Sequence, residues 1–402
     1  MKILKKTSDL KNLFLLLLFI ALSACATRPP PLPENYSHKL PWGAIDLDIN
    51  KRGPFTLRDS FGSILTQKAN GHSKSNKSVP FNILTLSGGG TRGAFGAGLL
   101  YGWNERGDIP EFDIVTGVST GAVMATFVFL GGDELEKVKN FYTKSYTDDV
   151  YTSSWLSFFQ AYLMNPAPLK KLFTKNFNEE LLNRVAAEHA KGRRLYIGST
   201  NLDTGQLIVW DMGAIASSSR SDKYKRFADI IYASSAMPIF LPPQYMSVDV
   251  SGERYYQMHV DGGIYSHVFM IGLLVNWKEI LNLRSDANTD FDATLYTIAN
   301  RKYRNRHMYD PVDQSPSSII DAYVETETDL LFDRSIYRLY DSCVKKGIKY
   351  RMASVPESNN HVDEPTEFNP GKMTKLFNTG YSIGRDGVEW QENISVEEYD
   401  IR

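Results

Sequence analysis

Cysteine is nearly absent from this chain: Cys25 and Cys343 are the only two in 402 residues. They form no C-x-x-C pair, and the seven histidines are scattered without the i, i+4 or H-E-x-x-H spacing of a metal site. No structural or catalytic metal and no cofactor is therefore expected. An excess of one charge is lacking as well. Lys and Arg number 45 against 46 Asp and Glu, a formal net charge of −1, which excludes the strong basic excess of a general nucleic-acid binder. Internal repeats are also lacking. The apolar run near the N-terminus, Leu13–Ile20, is too short for a comfortable membrane span.

What is present begins with that run. Lys2, Lys5 and Lys6 precede it and Ala21-Leu22-Ser23-Ala24-Cys25 closes it, which is a signal-peptide layout over residues 1–24. The Leu-Ser-Ala-Cys ending resembles the lipobox of bacterial lipoproteins. That resemblance implies cleavage before Cys25, acylation of its sulfur and a membrane anchor. The alternative is an ordinary signal peptide with a chance cysteine. Ala26, where Asp would retain such a protein in the inner membrane, resembles the pattern of lipoproteins sent to the outer membrane, which would place this one on its periplasmic face. With Cys25 acylated, Cys343 has no disulfide partner and reads as a packed core thiol.

Residues 25–79 are polar and broken, with Pro29-Pro30-Pro31-Leu32-Pro33 at one end and Asn70–Ser78 near the other. They read as a linker. Trp42, Ile45, Leu47, Phe55, Leu57 and Phe61 would let part of it dock on the domain. From about residue 80 to 390, strand-like and helix-like runs alternate. Strands are expected near 81–86, 112–116, 194–200, 206–210, 255–260, 293–299 and 347–354. Helices are expected near 94–106, 120–130, 134–145, 177–191, 222–234, 316–342 and 370–378. Such alternation implies an α/β fold with a largely parallel sheet covered by helices on both faces.

Two glycine motifs fall at the carboxyl ends of expected strands, where such sheets place their sites. Ser87-Gly88-Gly89-Gly90-Thr91-Arg92-Gly93 follows Phe81–Leu86, and Gly117-Val118-Ser119-Thr120-Gly121 follows Phe112–Val115. A glycine turn presents consecutive N–H groups that suit an oxyanion or a phosphate. Because Gly88–Gly93 also satisfies G-x-G-x-x-G, a dinucleotide site is an alternative, but it wants an acid at the end of the next strand. Here Glu111 and Asp113 stand at its beginning. The second motif is the sharp strand-to-helix turn that lifts a serine hydroxyl into a cleft, with a helix dipole behind it. Ser119 then needs a base. Val260-Asp261-Gly262-Gly263 supplies a carboxylate on a glycine turn, and His259 two residues earlier is an alternative base on the same strand face.

These blocks, together with Ala233-Ser234-Ser235-Ala236-Met237-Pro238 and its continuation Ile239-Phe240-Leu241-Pro242-Pro243, resemble the patatin-like phospholipase family over roughly Phe81 to the 270s. The resemblance implies a three-layer α/β/α fold. It implies Ser119 as nucleophile, Asp261 as general base, and an oxyanion loop of Gly88, Gly89, Gly90, Thr91 and Arg92. In that loop Gly89, Gly90 and Thr91 would give N–H groups while Arg92 orients the turn. One departure stands out: where members carry Asn-x-Pro after D-G-G, this chain has Ile264-Tyr265-Ser266-His267-Val268.

The aromatic segment Tyr151–Met164 reads as a lid or acyl-chain wall, or as a helix buried in the ordinary way. A serine lipid acyl hydrolase acting on a phospholipid or other fatty acyl ester is expected. An acyltransferase using the same serine and a non-catalytic lipid-binding lipoprotein stay open.

Overall fold

The computed structural model describes residues 28–48, 50–53, 55–72, 78–153, 162–271, 291–303, 311–358 and 366–394. The expected signal segment and Cys25 lie outside these residues, as do 154–161 of the aromatic segment. The strands in chain order are β1 (Val79–Leu86), β2 (Ile114–Gly117), the short pair β3 (Thr152–Ser153) and β4 (Met164–Asn165), β5 (Arg194–Asn201), β6 (Gln206–Asp211), β7 (Gln244–Val250), β8 (Glu253–Asp261), β9 (Phe291–Ala299) and β10 (Lys349–Ser354). The helices are α1 (Leu57–His72), α2 (Gly93–Arg106), α3 (Thr120–Leu130), α4 (Glu134–Lys144), α5 (Thr147–Val150), α6 (Ala167–Asn176), α7 (Glu179–Ala190), α8 (Met212–Ser217), α9 (Lys223–Ser235), α10 (Pro316–Lys346) and α11 (Pro370–Asp386).

One sheet runs β10-β9-β1-β2-β5-β8-β7, with β6 paired to β5. From β10 to β5 every pairing is parallel, and β6, β7 and β8 are antiparallel additions. Parallel strands need cover on both faces, and the period of two divides each strand between two cores. In β1, Leu84 and Leu86 join the core under α2, α3, α4, α7, α9 and α11. Phe81 and Ile83 join a second core under α1 and α10. The expected α/β/α layering is present.

Several elements differ from the sequence expectation. The linker expected over 25–79 contains α1, whose Leu57, Phe61, Ile64 and Leu65 are buried against the second face of the sheet. Ser60 Oγ donates to Asp211 Oδ2 at 2.5 Å and meets Tyr196 Oη at 2.7 Å, and Lys68 pairs with Asp113 at 2.6 Å. That helix is therefore part of the packing rather than a loose approach to it. The helix expected over 177–191 is α7, and a helix that was not expected, α6, precedes it after a break. The break is Asn178, whose side chain caps α7 by accepting the Leu181 N–H at 3.0 Å. The alternation of Met246, Val248 and Val250 belongs to a strand, β7, that was not expected. The closing helix runs past 378 to Asp386, because Gly380 and Gly384 face α2 instead of ending it. A Cβ on Gly98 or Gly102 of α2 would stand 2.0 Å from the Phe377 carbonyl or 2.2 Å from the Tyr381 carbonyl.

Candidate active site

The strand order brings the serine and aspartate motifs together. Ile197 of β5 pairs with Gly117 on one side and Trp210 on the other, whereas Ser199 pairs with Asp261 and Ile208. With β6 occupying one edge of β5 from Tyr196 to Asn201, β2 and β8 share the other. They enter that edge from opposite directions, so their carboxyl ends, Gly117 and Asp261, meet nearly head to head. Each ends in a glycine motif that turns the chain up out of the sheet.

At the β2 turn Ser119 has φ 56° and ψ −125°, a conformation that L-residues with side chains disfavour. The turn is held around it. Ser119 N–H donates to Ser234 Oγ at 3.0 Å, Ser234 Oγ donates to the Gly198 carbonyl at 2.6 Å, and Ser235 Oγ donates to the Ser119 carbonyl at 3.3 Å. The flanking glycines are required sterically, because a Cβ at Gly117 would lie 2.5 Å from the Gly121 carbonyl and one at Gly121 would lie 2.2 Å from that of Leu86.

Asp261 is 7% exposed and lines the same cavity as Ser119, whose side chain lowers its carboxyl. Gly263 N–H donates to its Oδ1 at 2.7 Å, and its own N–H donates to the Ala236 carbonyl at 3.0 Å, which ties this turn to the end of α9. Burial pushes the carboxyl up to about 6, against the hydrogen bonds from Ser119 and Gly263 that favour the ionised form. A base with such a value beside a hydroxyl is suited to proton transfer near neutral pH.

Gly89 and Gly90 line the same cavity and hold φ 153° and 58°. Among the described residues their N–H groups have no acceptor. The other donors expected in the loop are engaged differently. Gly88 N–H donates to the His267 carbonyl at 3.3 Å and Arg92 N–H donates to the Gly89 carbonyl at 3.1 Å, so neither of those amides is available. Thr91 is buried beneath the turn. Arg92 does reach outward, 3.6 Å from Glu325 of α10. Asn300, just after β9, braces the loop: its N–H donates to Ser87 Oγ at 2.8 Å, its Nδ2 to the Ser87 carbonyl at 2.9 Å, and its Oδ1 accepts the Gly96 N–H at 3.1 Å. Thr120 Oγ1 donates to the Gly90 carbonyl at 2.8 Å, joining the two glycine motifs.

His259 is placed away from the serine. Its Nδ1 lies 3.0 Å from Ser199 Oγ and its Nε2 3.4 Å from Gln257 Oε1, with Trp210 beside the ring at 5.4 Å. Burial lowers it to about 3, and it is a packed histidine. His267 is different. It lines the serine's cavity, and its buried Nδ1 has no hydrogen-bond partner among the described residues.

The cavity above Ser119 has a volume of about 450 Å³. Its walls are mainly apolar, with Val123, Phe141, Met164, Phe240, Leu241 and Phe368 among them. Tyr151 and Met164, the two ends of the aromatic segment, both contribute. The N-terminal half of α10 closes one side through Val324, Thr328 and Leu331, and Arg301, paired with Asp329, adds a buried charge. His267, Asn300, Arg301 and the α10 wall could not be assigned from sequence, because none sits in a spaced motif. Ser234 and Ser235 were visible as part of a block, but their hydrogen bonds to the serine turn were not.

The family model described as patatin-like phospholipase matches residues 84–273. Patatin-12 of Solanum tuberosum is 24% identical over 199 residues, covering 45% of this chain and 49% of that protein. A protein of Escherichia coli named cGAMP-activated phospholipase is 26% identical over 228 residues, covering 53% of this chain and 58% of its own length. The chain thus spans about half the length of the curated relatives it matches. Among solved structures, VipD from Legionella pneumophila covers 77% of this chain and 67% of its own at 12% identity, with a TM-score of 0.35. Residues 84–273, in which the motif blocks meet at the sheet's carboxyl edge, match the patatin-like phospholipase family.

Proposed function

We propose that this protein is a serine lipid acyl hydrolase of phospholipase A or lysophospholipase type, with Ser119 and Asp261 as its catalytic dyad. The observation that carries the reading is the meeting of Ser119 and a buried Asp261 in the lining of one apolar cavity, brought there by the carboxyl ends of β2 and β8. In the acylation step Ser119 Oγ bonds to the ester carbonyl carbon while its proton passes to Asp261. The oxyanion accepts hydrogen bonds from the Gly89 and Gly90 N–H groups. The leaving alcohol takes the proton from Asp261, and water then releases the fatty acid by the reverse transfers. The apolar walls give the acyl chain its place, which makes a glycerophospholipid or other fatty acyl ester the economical substrate class.

We propose further that Cys25 carries the lipid anchor and holds the protein on the periplasmic face of an outer membrane. The sequence around Cys25 supports this. Cys25→Ala should block lipid attachment, read as loss of radiolabelled palmitate from the protein, and persistent labelling would overturn the assignment.

The test of function is fatty-acid release from mixed glycerophospholipid micelles, run beside Ser119→Ala and with an acceptor alcohol present. Release that depends on Ser119 is the expected result. Ester transfer to the alcohol as the main product would favour an acyltransferase, and neither product from a folded protein would return weight to a lipid-binding role.

A further inference from the structure

We propose that His267 holds the water that hydrolyses the acyl-Ser119 intermediate, and so directs the acyl group to water rather than to an alcohol. This rests on the serine hydrolase reading above. His267 is buried, its Nδ1 meets no protein hydrogen-bond partner among the described residues, and its ring lines the cavity that contains Ser119 and Asp261. A buried polar atom without a protein partner is normally completed by water or by a bound molecule.

The space beside that atom is defined by two glycines. A Cβ built on Gly88 would stand 3.2 Å from Ser119 Cβ, 3.3 Å from His267 Nδ1 and 3.8 Å from Ser119 Oγ. One built on Gly263 would stand 3.0 Å from Asp261 Oδ1, 3.2 Å from His267 Cε1 and 3.3 Å from Nδ1. The imidazole nitrogen thus stands 3.3 Å from each of two positions, one beside Ser119 and one beside Asp261, which a side chain at Gly88 or Gly263 would crowd. The ring is fixed by its own backbone and by packing. His267 N–H donates to Ser335 Oγ at 3.3 Å, its carbonyl accepts the Gly88 N–H at 3.3 Å, and Phe332 meets the ring edge-on at 5.8 Å.

Burial, aided by the positive charge of Arg301, keeps this imidazole neutral, lowering it to about 3. With its proton on Nε2, Nδ1 is an acceptor. Asp261 alone can take a proton from water but cannot fix the molecule's orientation; a second acceptor does so. The water oxygen bonds to the acyl carbonyl carbon as one of its protons moves to the Asp261 carboxylate. Its other proton stays on oxygen, hydrogen-bonded to Nδ1. The tetrahedral intermediate then breaks its bond to Ser119 Oγ, which recovers the proton from Asp261, and the fatty acid departs.

The experiment follows nitrophenol release from p-nitrophenyl butyrate by stopped flow, using the full-length protein in detergent, with butyrate and methyl butyrate measured in the presence of methanol. His267→Ala and His267→Asn are compared with the parent and with Ser119→Ala. The expected result is steady-state turnover about 10- to 100-fold lower, a nitrophenol burst approaching one per active enzyme, and a rise in the ratio of methyl butyrate to butyrate. That ratio does not depend on the fraction of protein folded, so a poorly folded variant still reports. Burst rate and turnover falling together with an unchanged product ratio would overturn the proposal, as would no change in any of the three. Absence of Ser119-dependent release from the parent would remove the hydrolase reading and this role with it, an outcome distinct from parental turnover with an unaltered product ratio in the variants.

Discussion

Ser119 holds a backbone conformation that glycine would adopt without strain, and it does so at φ 56° because the turn between β2 and α3 is over-determined by Ser234, Ser235 and the close contacts of Gly117 and Gly121. Ser119→Ala and Ser119→Gly both remove the hydroxyl, so the difference between them isolates the backbone. Glycine is ordinarily the less stable of the two by roughly 0.5–1 kcal/mol; here Ser119→Gly should exceed Ser119→Ala by about 1 kcal/mol in denaturant unfolding. The ordinary order would show that the turn is unstrained. Neither variant should release fatty acid.

Asp261 shows a second cost of the site. Its folded value of about 6 lies above that of an unfolded aspartate, so folding disfavours its ionised form. The penalty is absent below pH about 4, where the group is protonated in both states, grows up to pH about 6 and is complete above it. Asp261→Asn, which stays neutral and can still accept from Gly263, should therefore be at least as stable as the parent at pH 8, with the advantage gone at pH 4. For catalysis the sign is opposite, since the base must be ionised. The parent's kcat/KM should rise through pH about 6 and level off above it; thermal melts and a pH–rate profile check the two halves separately.

At the scale of elements, α2 matters because it begins where the Gly88–Arg92 loop, the proposed oxyanion site, ends. It crosses α11 with Gly98 and Gly102 facing Gly380 and Gly384, so that backbone meets backbone: a Cβ on Gly380 would lie 2.1 Å from the Phe95 carbonyl and one on Gly384 2.1 Å from that of Leu99. Gly98→Ala should cost about 1–3 kcal/mol, because neither helix can withdraw without moving the sheet or the loop, and activity should fall with it. Gly107→Ala is the control. That residue caps α2 at φ 86° with nothing within 4 Å, so only about 1 kcal/mol of backbone strain is expected there and little loss of activity. Equal effects at the two positions would show that the crossing is not what holds α2. This crossing also marks where sequence reading fell short. Glycine's conformational freedom makes Gly380 and Gly384 look like a helix end, and the contact that reverses that meaning comes from residues far away in the chain. The strands of the parallel core and the two glycine turns were legible for the opposite reason: each carries its signal within ten residues, as an apolar run followed by a turn that tolerates only small residues. Ser119 and Asp261 could be named from such signals, whereas His267 stands in Ile264-Tyr265-Ser266-His267 with no spacing partner and acquires a place only when that loop folds back against Gly88.

For the whole molecule, the family match ends at residue 273 while the packing does not. β9 is hydrogen-bonded along the full length of β1, from Val79 opposite Phe291 to Leu86 opposite Ile298, and β10 extends the sheet beyond it. α11 covers α2, α10 buries Phe332, Ile336 and Leu339 against the second face of the sheet, and Asn300 braces the glycine loop at Ser87. A chain ending at residue 273 would leave β1 as an unpaired edge with apolar residues on both faces and the glycine face of α2 uncovered. It should be found in aggregates, with no soluble monomer on size-exclusion chromatography and no activity on lipid micelles. Soluble, monomeric protein of that length that retained Ser119-dependent release would show that the last third of the chain is an addition to a complete site. The loss would be local as well as global: the Ser87 carbonyl and hydroxyl, at the root of the loop that should hold the oxyanion, both take hydrogen bonds from Asn300, which lies beyond residue 273.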